Sequence, residues 1–153
     1  MPTQILLPTE HPQNSDSPLR FPRTALLATP AEAARVPVAR RFTRVVAARW
    51  GLSQETRDAA ELIVGELAGN AARHGRSAMN LCLILAPAML RITLDDFGTE
   101  RNPSRESAAD DPCEHGRGLA IINYLADWMH IQPGTSSHRV HVGLRLTPHR
   151  PTW

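Results

Sequence analysis

The sequence predicts an α+β fold, a two-layer α/β sandwich with helices on one face of a mixed, mainly antiparallel sheet. Three observations predict it. Residues 37–50 and 53–74 space their apolar side chains as helices do. Residues 79–86 and 89–94 are short apolar runs separated by Pro87, the pattern of a hairpin of buried strands. The chain closes on a second such pair, about 128–132 and 140–146, around Pro133-Gly134.

Taken in order, residues 1–20 are rich in Pro, Ser, Asn and Gln and read as a flexible N-terminal tail. One domain is expected over 21–147, with a C-terminal tail at 148–153. Residues 21–28 read as a first edge strand, since Pro22 suits an edge better than a centre. Pro37 fits the first turn of a helix, with Val38, Phe42, Val45 and Val46 on its apolar side and Gly51 as its stop. Ser53 is the expected N-cap of the next helix, with Glu55 in its first turn. That helix runs to His74, and Gly75 ends it. Residues 97–115 are a long loop of Gly, Pro, Ser, Asn, Asp and Glu; such loops inside a compact domain are uncommon and usually functional. Residues 118–128 read as a third helix with Leu119, Ile122, Leu125 and Ala126 on one face. In the last strand Val140, Val142, Leu144 and Leu146 alternate.

Composition narrows the function classes. The 153 residues suit one ordinary domain, and 42% hydrophobic residues predict a packed core rather than disorder. No apolar run approaches the roughly 20 residues a membrane span needs. Residues 1–10 lack a basic stretch followed by an apolar one, so no signal peptide is expected. Cys82 and Cys113 do not make a disulfide framework, and a reduced cytoplasmic setting is the simplest expectation. All 17 basic residues are arginine. The absence of lysine excludes a P-loop lysine, a Schiff base and a lysine nucleophile. Net charge of +2 is too small to imply nucleic-acid binding. Arg35, Arg40, Arg41, Arg44 and Arg49 make the first helix region basic. A helix-turn-helix pattern is missing, so this reads as a solvated face rather than a DNA contact. Docking of an acidic partner is a third reading. His138 and His141, three apart on a strand, point to opposite faces and do not make a zinc site.

Three polar elements stand out. Glu66, Asn70 and His74 fall on one row of the second helix, beside the apolar row Ile63, Leu67 and Ala71. A helix so built can pack on a core and present polar groups to a cleft; the plainer reading is a solvated polar face. The second element is Asp95-Asp96-Phe97-Gly98, after the strand ending at Leu94. The third is His115-Gly116-Arg117-Gly118-Leu119, entering a helix. Its glycines allow backbone near a ligand, and a helix N-terminus offers free N–H groups, which suits phosphate oxygens. A tight turn is the commoner meaning of such a pair of glycines.

The order of these elements resembles the Bergerat-type, histidine kinase-like ATPase domain shared by histidine kinases, Hsp90, gyrase B and MutL, and most of all its anti-sigma-factor serine/threonine kinase branch. The family's E-x-x-x-N, D-x-G and G-x-G-L motifs read here as Glu66…Asn70, Asp96-Phe97-Gly98 and Gly116-Arg117-Gly118-Leu119. The run from Gly116 to Trp128 is especially similar to that branch, and the resemblance spans residues 21–146.

The resemblance implies ATP and Mg²⁺ as cofactors. It makes Asn70 the protein ligand of Mg²⁺ and Glu66 the general base toward a serine of a partner protein. Arg73 would reach a phosphate. Asp96 would accept a hydrogen bond from the adenine amino group, and Gly98 would let the base approach. Gly116, Arg117, Gly118 and Leu119 would form the lid over the phosphates. His74 is assigned packing rather than catalysis. The implied partners are an anti-sigma antagonist-like protein, a sigma factor or both, with a homodimer possible and no membrane or direct nucleic-acid contact. A histidine kinase proper, with its dimerisation and phosphoacceptor domain, is not expected in 153 residues. Two departures matter. Thr99-Glu100 follow Gly98 where relatives often have another glycine. Ser137-His138-Arg139 stand where many relatives have a G-K-T-like turn, with Arg139 as the candidate replacement for the lysine. They leave open a non-catalytic, nucleotide-gated protein-binding module. A weaker third reading is a DNA-binding regulator.

Overall fold

The computed structural model describes residues 3–6, 22–74, 77–97, 112–134 and 137–146, and of 112–115 the backbone only. Among these residues it shows an α+β fold in which three helices cover one face of an open six-stranded sheet. The elements are β1 (Gln4–Leu6), β2 (Arg23–Pro30), α1 (Val36–Arg49), α2 (Gln54–Arg73), β3 (Ala78–Ala86), β4 (Met89–Phe97), α3 (Pro112–Leu125), β5 (Trp128–Pro133) and β6 (Ser137–Arg145). A 3₁₀ turn, Ala33–Arg35, leads into α1. The strand order is β1-β2-β3-β4-β6-β5, and each adjacent pair is antiparallel. Among the described residues no helix is long and apolar enough to cross a membrane.

Local chemistry sets the boundaries. Pro37 sits in the first turn of α1. Gly51 ends that helix with φ 72°; its N–H bonds to Ala48 O at 3.0 Å, and Leu52 N–H bonds to Ala47 O at 3.1 Å. This is the left-handed stop that glycine adopts without strain. The Ser53 hydroxyl accepts the Thr56 N–H at 3.2 Å and caps α2.

The core lies between sheet and helices. Ala25 and Leu27 of β2, Met79, Leu81, Leu83 and Leu85 of β3, Leu90, Ile92 and Leu94 of β4, and Val142 and Leu144 of β6 alternate onto the helix side, all buried. Ile63, Val64, Leu67, Ala68 and Ala71 of α2 and Ile122 of α3 meet them. On α1 the buried stripe is Ala39, Phe42, Thr43, Val46 and Ala47, whereas Val45 is 45% exposed.

Three expectations need correction. Residues 23–30 are not an edge strand, because β1 pairs outside them with Ile5 opposite Leu27. Three residues of the expected tail therefore supply the sheet edge. β4 runs on to Phe97, so Asp95 and Asp96 lie within a strand rather than after it. Main-chain pairing to β6 continues through Asp96 opposite His138 and Phe97 opposite Ser137, and it overrides the weak strand preference of two aspartates. Helix α3 starts at Pro112, not Gly118, and ends at Leu125.

Candidate functional site

Helix α2 lies on β4 and β6 and beside α3. Glu66 and Asn70, one turn apart, are half-buried on its flank. Gly118 of α3 faces them. A Cβ placed on Gly118 would lie 2.7 Å from Glu66 Oε2 and 4.0 Å from Asn70 Oδ1. Real side-chain carbons do not come that close to oxygen, so glycine here is what lets α3 rest against the Glu66 carboxylate. Two of the three polar sequence elements, 48 positions apart from Asn70 to Gly118, are thereby in contact.

Asp96 belongs to the same side of the molecule. It continues the inward series Leu90, Ile92, Leu94 and is 9% exposed. Its Oδ1 accepts the backbone N–H of His138 at 3.0 Å, and His138 Nδ1 lies 3.7 Å from the same oxygen. Asp95 alternates to the helix-free face, where it binds the Arg139 guanidinium through both carboxylate oxygens, Nη2 to Oδ2 at 3.1 Å. That hydrogen bond, with the charge of Asp95, holds the Arg139 pKa above its ordinary value. Arg139 is thus on the face opposite Glu66, Asn70 and Asp96. The expectation that it replaces a phosphate-contacting lysine is corrected: strand alternation turns it away, and Asp95 holds it there.

The other expected residues are placed as follows. Arg73 is exposed in the last turn of α2, and its Nη2 is 3.9 Å from where a Cβ of Gly69 would stand, so it lies back along its own helix. His74 caps the helix, its N–H donating to Asn70 O at 3.1 Å, and it is exposed. Gly116 and Arg117 are exposed, and Leu119 is half-buried. Gly98 lies outside the described residues, as do 99–111 of the expected loop and the side chain of Cys113.

The expectation of a glycine-rich loop leading into a helix N-terminus is overturned. Gly116, Arg117, Gly118 and Leu119 lie within α3, and its free N–H groups are at the Pro112 end. The sequence held the signal, since proline after an aspartate (Asp111-Pro112) with Glu114 in the first turn is a helix start. Two glycines lower helix propensity without forbidding the conformation. Packing of Ile122, Leu125 and Ala126 on the core favours it.

One functional-looking carboxylate was missed. Glu61, 8% exposed, takes two hydrogen bonds from Arg44, Nε to Oε2 at 2.8 Å and Nη2 to Oε1 at 2.5 Å. Arg40 Nη2 is 3.4 Å from Oε1. The Arg44 hydrogen bond pulls the Glu61 pKa below the ordinary glutamate value against the opposing effect of burial. The pair ties α1 to α2, so two arginines of the basic helix face are structural. Only the packing of α1 against α2 reveals this, because the residues are 17 apart in sequence.

The donor set fits a magnesium nucleotide. Asn70 offers a neutral hard oxygen, the kind Mg²⁺ takes alongside water and phosphate. The Glu66 carboxylate lies next to it, and Gly118 brings α3 against both. Comparison with known families places the same elements together. The family described as the histidine kinase-like ATPase domain matches residues 29–144, which include every expected site residue from Glu66 to Leu119. No curated protein matches the chain.

Proposed function

The chain belongs to the histidine kinase-like ATPase domain family, and from that premise we propose that it is an ATP-binding regulatory protein of the anti-sigma-factor type, a serine/threonine protein kinase acting on a partner antagonist protein. The observation that carries the reading is the contact of Glu66 and Asn70 on α2 with Gly118 on α3. It joins a base, a metal-binding amide and a glycine of the motif expected over the phosphates.

In this reading the roles are those that the family's motifs imply. Asn70 holds the metal, and Asp96 reads the adenine amino group. Arg73 and Arg117, both exposed, are assigned to the phosphates and to the lid over them. Glu66 takes the proton of the attacking serine hydroxyl as its oxygen bonds to the γ-phosphorus. The bond from that phosphorus to the β–γ bridging oxygen breaks, and ADP leaves. Asn70 would hold Mg²⁺, which when bound would supply charge neutralisation. Gly98 is assigned the close approach of the base. The partner, a sigma factor or its antagonist, and a homodimer are part of the proposal.

Calorimetric titration of Mg-ATP into the wild type and Asn70→Ala tests the nucleotide site. Binding by the wild type that is lost in the variant supports it; no binding by a folded wild type refutes it. Glu66→Gln then tests the base: it should bind Mg-ATP and fail to transfer phosphate. Full transfer by Glu66→Gln overturns that role.

One observation favours a second reading. Arg139 is turned to the opposite sheet face and held by Asp95, so it is not the cation expected near the phosphates. A non-catalytic module that binds nucleotide and thereby selects a protein partner needs no such cation. Phosphate transfer to a co-purified partner would exclude it.

A further inference from the structure

We propose that His130 and His141 form a binding site for a divalent transition-metal ion of the zinc class, on the helix-free face of the sheet. β5 and β6 pair in register with His130 directly opposite His141. Val142 is buried toward the helices, so His141 beside it points to the other face, and His130 across from it shares that face. The two imidazoles are stacked, with ring centres 6.4 Å apart and planes 21° from parallel. His130 is exposed and His141 half-buried, so solvent reaches the pair. Thr93 of β4 stands opposite His141 on its other side, and its hydroxyl is hydrogen-bonded to His141 Nδ1 at 3.0 Å. With Nδ1–H donating to that hydroxyl, Nε2 carries the lone pair that a metal takes. Metal-bound histidines are held in this way, the second nitrogen bonded to a neighbouring group that fixes the ring.

The distances suit one ion. A zinc–nitrogen bond of about 2.1 Å puts the centres of two ligating imidazoles about 5–5.5 Å apart at near-tetrahedral angles. The rings must therefore close by about 1 Å and tilt their edges together, which the soft second torsion of histidine permits. Imidazole nitrogen suits zinc, copper and nickel, whereas Mg²⁺ and Ca²⁺ prefer oxygen. The protein supplies two ligands and water the others, since among the described residues no group of three or more His, Cys, Asp or Glu could hold a metal. Asp95, two positions from Thr93 on the same face, is held by Arg139 and does not complete the shell. The ion is thus exchangeable, and it clasps the edge strand β5 to β6. The site lies on the sheet face opposite Asp96 and helix α2, apart from the nucleotide site.

The test is calorimetric titration of Zn²⁺, without nucleotide, into the full chain and into His130→Ala, His141→Ala and Thr93→Val. It is run at about pH 7.5, about one unit above the ordinary imidazole pKa. Melting curves confirm that each variant is folded. The wild type is expected to bind Zn²⁺, and each histidine variant to bind it at least about tenfold more weakly. Thr93→Val keeps the shape and strand preference but loses the hydroxyl, and should also bind about tenfold more weakly as the His141 ring loosens. Mg²⁺ in large excess should leave the binding unchanged. Zn²⁺ bound by His130→Ala or His141→Ala as tightly as by the wild type is adventitious binding at other histidines and overturns the site. No zinc binding by the folded wild type overturns it too. Wild-type affinity in Thr93→Val overturns the part given to Thr93.

Discussion

Gly118 offers the sharpest test of the site, because its substitution should separate function from stability. In Gly118→Ala the new Cβ would begin 2.7 Å from Glu66 Oε2, against an ordinary contact of at least 3.4 Å. The obstacle is the far end of a flexible side chain, not backbone. Glu66 can therefore retreat at about 0.5–1.5 kcal/mol, the cost of leaving a rotamer well. Replacing glycine by alanine inside a helix returns about 0.5–1 kcal/mol. The two terms nearly cancel, so the melting temperature should move by no more than about 3 °C. Phosphotransfer should respond quite differently. A displacement of this size at a catalytic base costs on the order of 100-fold. Asn70 Oδ1, at 4.0 Å from the added carbon, is at ordinary contact, so Mg-ATP affinity should change little. Gly116→Ala is the control: nothing lies within 4 Å of its added carbon. It should gain about 0.5–1 kcal/mol from helix propensity alone. The assay is thermal unfolding beside phosphate transfer to partner protein. If Gly118→Ala transfers phosphate as fast as the wild type, clearance of Glu66 is not why glycine stands at 118. If it unfolds the protein, the obstacle is backbone and the geometry is wrong.

Other consequences can be checked on the isolated protein. Glu61 has a lowered pKa in the fold, so its contribution is full above the usual glutamate value and is lost as pH falls through the lower folded one. Glu61→Gln should flatten the acid limb of the melting temperature against pH. At neutral pH it should cost about 1 kcal/mol, the low end for a charged pair, since the Arg40 and Arg44 side chains are 50% and 63% exposed. Gly51→Ala meets no atom within 4 Å yet must hold φ 72°, so it should lose about 1–2 kcal/mol in urea unfolding from backbone strain alone. Ile92→Ala, at a fully buried position in the middle of β4, should cost about 2–5 kcal/mol by the same measurement. The Cys82 thiol has its pKa pushed up, mainly by burial, so alkylation at neutral pH should be slow and should accelerate in denaturant.

Much of the architecture was legible because it rests on local rules. Alternation in 79–86 and 89–94 and the proline between them specify a hairpin, and Ser53, Pro37 and Gly51 mark helix ends by capping chemistry that needs no distant partner. Glu66 and Asn70 were legible as a pair because a helix brings residues four apart to one flank. The start of α3 was misplaced because glycine is read as a loop signal, and only the packing of Ile122 and its neighbours shows that this helix continues through two of them.

The sequence by itself determined the fold class, the bounds of α1, the start of α2 and the residues that match the family's motifs, since these depend on spacing along the chain. The tertiary structure decided which of them meet. It put Gly118 against Glu66 and Asn70, turned Asp96 inward to His138 and Asp95 outward to Arg139, and gave Glu61 its arginines. Those outcomes follow from strand register and helix packing, where a shift of one residue would send every side chain to the opposite face, and no spacing along a single chain records that choice.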